Sequence, residues 1–165
     1  MKFKQAGFTL IELVVVIIIL GILAASALPR FTALQAQARI AKLNAALGAV
    51  KGAAALSHAA CLATQGITSS GVAAFTLSME GAPVTMIAQY PTANATGIIL
   101  ASGLTITPAE GYQTDTGSSA EGGVLKIQVL GNDPATCFFT YTAATSALGA
   151  ITNGPVYSPL TTTGC

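Results

Sequence analysis

Apolar and polar positions divide this chain into three stretches. From Phe8 to Leu28 almost every residue is apolar, and the only charge is Glu12. About 20 residues at ~1.5 Å each cover a hydrocarbon core of ~30 Å, so this run is long enough to cross a bilayer as a helix. From Arg30 the chain becomes alanine-rich, a composition that favours helix. Ala36, Ile40, Leu43, Leu47, Val50 and Ala54 recur at spacings of three and four. That is an amphipathic stripe for packing a head domain. Gln35, Arg39 and Lys42 are expected to point away from its centre. Arg30, Phe31 and Leu34 lie before the stripe and off its face, placed to touch neighbouring molecules. The two stretches read as one helix from Phe8 to about Ala63. Pro29 interrupts it by removing the bond to the carbonyl of Ala25.

The third stretch begins after Gln65-Gly66, where Gly, Ser, Thr and short apolar runs take over. Thr92 to Ser102 predicts a short helix, capped by Thr92 or Asn94 and stopped by Gly103. Leu104-Thr105-Ile106-Thr107 alternates like a strand. So does Val124 to Leu130, with Leu125, Ile127 and Val129 on one face. Gly131-Asn132-Asp133-Pro134 is a turn, and Cys137 to Thr142 is the next strand. The Thr-, Gly- and Pro-rich part from Thr152 reads as an irregular surface loop. The fold class is therefore α+β. A long N-terminal helix, half transmembrane and half amphipathic, packs against a small antiparallel sheet. The predicted boundaries are 1–7 for a leader, 8–29 for the apolar helix, 30–63 for its continuation and 64–165 for the head.

Composition narrows the function classes. With 52% hydrophobic and 8% charged residues, the chain is no disordered polyampholyte. Charge is uneven: Arg30, Arg39, Lys42 and Lys51 outnumber Glu12 on the helix. Beyond it, Lys126 stands against Glu80, Glu110, Asp115, Glu121 and Asp133. A basic stalk and an acidic head would attract between neighbours. The head has no basic patch, which argues against direct nucleic-acid binding. Lys2 and Lys4 put the N-terminus in the cytoplasm by the positive-inside rule.

Glu12 is the first candidate for chemistry. A carboxylate in a spanning helix is costly and marks function by default. A cut between Gly7 and Phe8 would create an α-amine about one helical turn from Glu12. In a bundle of such helices, the amine of one chain could meet the carboxylate of its neighbour, since a buried charge is tolerated when paired.

The sequence Gly7-Phe8-Thr9-Leu10-Ile11-Glu12-Leu13, behind the basic leader Met1-Lys2-Phe3-Lys4-Gln5-Ala6, closely resembles the type IV prepilin signature. The resemblance runs through Gly21 and Pro29-Arg30-Phe31. It implies the pilin fold, cleavage after Gly7, N-methylation of Phe8 and an assembly role for Glu12. It also implies that Gly21 to Pro29 can unwind in a filament. The implied partners are a prepilin peptidase, a pilus assembly ATPase with its inner-membrane platform, and further copies in a helical fibre. The subunit would wait in the inner membrane, then serve attachment to a host or surface receptor. No catalysis and no cofactor are implied. The head, with Tyr90-Pro91-Thr92-Ala93, Cys137-Phe138-Phe139-Thr140-Tyr141-Thr142 and Gly164-Cys165, looks like the mannose-sensitive haemagglutinin (MSHA) branch. Cys61 departs from the two-cysteine pattern of that branch.

The remaining candidates are weaker. In the periplasm disulfides persist, and Cys137 with Cys165 is the expected bridge, tying the last loop to the sheet. Pairing of Cys61 with either stays open. His58 and Cys61 stand at i and i+3, but zinc needs four ligands. Glu110, Asp115 and Glu121 lack calcium-loop spacing, so no metal is expected. Ser57-His58 are adjacent on a helix and do not face each other. Asn94-Ala95-Thr96 is a formal glycan acceptor. Competing readings are a secretory signal cut after Ala24-Ala25-Ser26-Ala27, a type II secretion pseudopilin, a DNA-uptake pilin, and a membrane-anchored periplasmic binding domain.

Overall fold

A computed structural model describes residues 7–65, 74–107, 109–131, 133–147 and 150–165. Lys2, Lys4, Gly66 and Asn132 lie outside the described residues. Helix α1 spans Leu10–Gln65 with Pro29 inside it. Gly21 to Pro29 is helical throughout. One missing hydrogen bond at Pro29 is tolerated because the ladder continues on either side. The chain forms two compact units, Met1–Ala38 and Arg39–Cys165.

In the second unit, the α1 residues from Arg39 onward carry a buried stripe of Leu43, Ala46, Val50, Ala53, Ala54, Ser57 and Cys61. Alanine dominates it because a helix can approach a sheet closely only where side chains are small. Three antiparallel sheets are present among the described residues. The first joins β1 (Phe75–Met79), β2 (Ala82–Ile87) and β3 (Tyr90–Pro91). The second has the order β4 (Tyr112–Thr114), β5 (Val124–Val129), β6 (Phe138–Thr142), β9 (Val156–Tyr157). The third pairs β7 (Thr145–Ala147) with β8 (Ala150–Asn153).

Strand β5 buries Leu125, Ile127 and Val129, and β6 buries Phe139 and Tyr141, each on alternate residues. This is the period-two pattern of a sheet with one covered face. These side chains share one cluster with Leu43 and Val50 of α1. A second cluster gathers Cys61, Leu77, Val84 and Met86. The Tyr141 hydroxyl donates to the Pro91 carbonyl at 2.7 Å, tying the four-stranded sheet to β3.

Several expectations are corrected. Leu104 to Thr107 forms no strand. Its alternation instead turns Leu104 and Ile106 toward the main core without a pairing partner. The predicted helix at Thr92 begins later, as a helical segment Ala95–Ile99 kinked at Gly97 (φ −96°, ψ −105°) that runs into α2, Leu100–Ser102. Asn94 caps it by accepting from the Gly97 amide at 2.7 Å, and Gly103 ends it at φ 65°. The part from Thr152 is not wholly irregular, since the end of β8 pairs with β7 and β9 pairs with β6. Arg39 and Lys42 do not point away from the head. Arg39 donates to the backbone oxygen of Cys165 at 2.7 Å. Lys42 donates to the carbonyl of Glu110 and lies over the Tyr112 ring. Long basic side chains flank an apolar stripe with their stems on it and their heads on backbone oxygens.

Candidate functional site

The N-terminal segment is built by helix-end chemistry. Four amides at a helix start have no partner within the helix. Here Thr9 precedes the first turn and Glu12 closes it. The Glu12 Oε2 accepts from the Thr9 amide at 2.9 Å and from the Thr9 hydroxyl at 2.7 Å. The Glu12 amide donates back to Thr9 Oγ1 at 3.4 Å. This is a capping box, and its Thr-x-x-Glu signal was visible in the sequence beside the reading of Glu12 as an assembly residue. Thr9 is therefore a functional candidate that the sequence reading missed. Both bonds use Oε2, so Oε1 has no hydrogen bond among the described residues. A carboxylate oxygen has capacity for further donors. The box and an incoming amine are thus compatible on one side chain.

Gly7 and Phe8 precede the helix and are exposed, Phe8 at 90%. A Cβ at Gly7 would meet nothing within 4 Å. Packing among the described residues does not demand glycine there. Leu10 to Leu23 are exposed along the whole run. The helix is long and apolar enough to cross a membrane. Gly21 and Pro29 both lie on this helix, and a Cβ at Gly21 meets nothing within 4 Å either.

A second built region holds the end of the chain. Cys137 and Cys165 form a disulfide with Cα atoms 4.9 Å apart, and Cys61 is free and buried. Around the bridge, the Asp133 amide donates to the Gly164 carbonyl and the Gly164 amide to the Thr136 carbonyl, each at 3.1 Å. Burial pushes the Cys61 thiol above its ordinary pKa, which keeps it protonated and unreactive.

The other candidates are occupied by structural bonds. His58 stacks on Tyr90 with ring centroids 4.2 Å apart, and its Nδ1 lies 3.2 Å from the Gln89 carbonyl. Asp115 Oδ1 accepts from the amides of Gly117 and Lys126. Glu121 accepts from the Ser146 amide and hydroxyl, which hold its carboxyl below the usual range. Asn94 of the glycan acceptor triplet uses Oδ1 on the Gly97 amide and Nδ2 on Ser119. No group of three His, Cys, Asp or Glu side chains is brought together among the described residues.

Residues 2–28 match the prokaryotic N-terminal methylation motif. The chain is also similar to the type IV narrow pilus major component PilA5 of Thermus thermophilus, 50% identical over 54 residues. That match covers 33% of this chain and 47% of the relative. The fimbrial protein EcpB of Eikenella corrodens is 53% identical over 49 residues, covering 30% of this chain and 31% of the relative. The chain thus spans less than half the length of either relative. No solved structure matches it. The motif and both relatives support a type IV pilin.

Proposed function

We propose that this chain is the precursor of a type IV pilus structural subunit. The observation that carries this reading is the Gly7-Phe8 junction, set one turn before Glu12 at the start of an exposed apolar helix. On this reading residues 1–7 are a leader removed by a prepilin peptidase, and Phe8 is N-methylated. Residues 8–29 anchor the subunit in the inner membrane with its N-terminus cytoplasmic, then pack in the fibre core. Residues 30–63 continue the helix and 64–165 form the head. Glu12 neutralises the amine of a neighbouring Phe8 during assembly, driven by the pilus ATPase and its membrane platform. Gly21 and Pro29 mark where the helix can give way. The subunit has no catalytic role, and the fibre serves attachment to a surface or host receptor. Tyr90-Pro91-Thr92-Ala93 and Gly164-Cys165 favour the MSHA branch.

Mass spectrometry of sheared surface fibres tests the reading. The expected N-terminus is methylated Phe8, and Gly7→Val leaves the precursor in the membrane. Fibres whose subunits retain Met1 would overturn it.

A further inference from the structure

Two exposed features have complementary charge and shape. On α1, Ala27, Arg30, Phe31 and Leu34 share one helical face, with Phe31 63% and Leu34 58% exposed. Among the described residues, Arg30 is the cation with no hydrogen bond or ring contact. Arg39, Lys42, Lys51 and Lys126 are each engaged within the second unit. In that second unit, a pocket of about 260 Å3 lies between α1, the β1–β2 hairpin and α2. Ala53, Leu56, Met79, Val84 and Leu100 line it, and Glu80 stands on its rim. Leu56 is 66% exposed, large for a leucine beside a core. Glu80 is exposed and makes no hydrogen bond with another described residue. It occupies the hairpin turn at φ 50°.

The geometry points to docking between two copies of this chain. Phe31 of one copy enters the pocket of the next, and Arg30 pairs with Glu80 at the rim. A lone cation beside an exposed aromatic fits an apolar pocket with one acidic edge, and complementary charges also set register. This inference rests on the filament reading: Phe31 and Leu56 lie about 37 Å apart along α1 at ~1.5 Å per residue, so the two copies must be staggered along the helix axis, as in a fibre.

The test uses the full chain in cells, expressed as two differently tagged copies. One copy carries Arg30→Cys and the other Glu80→Cys. A flexible bis-maleimide is added, because an Arg–Glu pair sets its Cα atoms farther apart than the ~7 Å that a direct disulfide allows. The expected result is a mixed-tag dimer, absent when either cysteine is omitted. Arg30→Glu and Glu80→Gln each lower sheared fibre yield at least about threefold, the scale of one exposed ion pair. Arg30→Glu combined with Glu80→Arg recovers most of that loss. Glu80→Gln keeps the turn residue's size, so its loss is not one of folding. The docking is overturned if no mixed dimer forms while fibres assemble at normal yield. If no fibres form from the unaltered chain, the filament reading fails instead.

Discussion

Removing the disulfide should cost the second unit a large part of its stability. Cys137 and Cys165 are 28 residues apart in sequence, and their Cα atoms lie 4.9 Å apart. Closing a loop of that length restricts the unfolded chain by about 3.6 kcal/mol in the chain-entropy model. The native state adds little strain relief to offset this, because the loop is also held by bonds that survive the mutation. Arg39 still reaches the Cys165 oxygen, and Gly164 keeps its backbone bonds to Asp133 and Thr136. Both cysteines should be changed to alanine together, so that neither remaining thiol can reach Cys61. The chain has no tryptophan, and its four tyrosines, Tyr90, Tyr112, Tyr141 and Tyr157, all lie in this unit. Tyrosine fluorescence of the detergent-purified chain therefore reports its unfolding and not that of the apolar helix. The urea midpoint should fall by about 2 M, for slopes near 1–3 kcal/mol/M. A loss under about 1 kcal/mol would refute the reasoning.

Other outcomes follow from single contacts. Glu12→Val should insert and fold normally, yet be under-represented in sheared fibres relative to its membrane pool in mixed expression; proportional entry would mean that packing alone sets register. Tyr141→Phe should lower stability by about 1–2 kcal/mol in the same unfolding assay, because the hydroxyl bond to Pro91 is buried. Glu121 should titrate below the usual carboxylate range by NMR, and Ser146→Ala should raise it again. Because its folded pKa is lowered, its contribution is present above the ordinary carboxylate range and is lost as pH falls through the folded value. Acid should therefore loosen β7 at Ser146 first, visible as faster amide exchange there.

The parts of the fold legible in the sequence were those where one local period dominated. Leu125, Ile127 and Val129 alternate against Lys126 and Gln128, and β5 follows that alternation. The α1 stripe was visible at Leu43, Val50 and Ala54, but Ala46 and Ala53 were overlooked because the larger Ile40 and Leu47, which are only partly buried, set its phase. The β1–β2 hairpin was missed for a specific reason. Its two-residue turn, Glu80-Gly81, takes φ 50° and 83°, a conformation that Asn-Gly or Asp-Gly would have announced. Pro83 next to it also argues against a strand. Leu104 to Thr107 shows the opposite error, since alternation sets facing but not pairing. At the N-terminus, Glu12 stood out as a charge in an apolar run. Its bond to Thr9 was equally legible in Thr-x-x-Glu, yet the charge drew the attention.

The stripe from Leu43 to Cys61 has a mechanical consequence. If the chain is a fibre subunit as proposed, tension on the fibre pulls it along the axis of α1. Leu43, Ala46, Val50, Ala53, Ser57 and Cys61 lie in a row along that axis, against the sheets of the same unit. The load then slides the row in shear, so its contacts must yield together and not one after another. A row of small side chains resists such sliding through close fit over its length. One added methylene at Ala46 or Ala53 would disturb the fit of the whole row and lower the rupture force more than the resting stability.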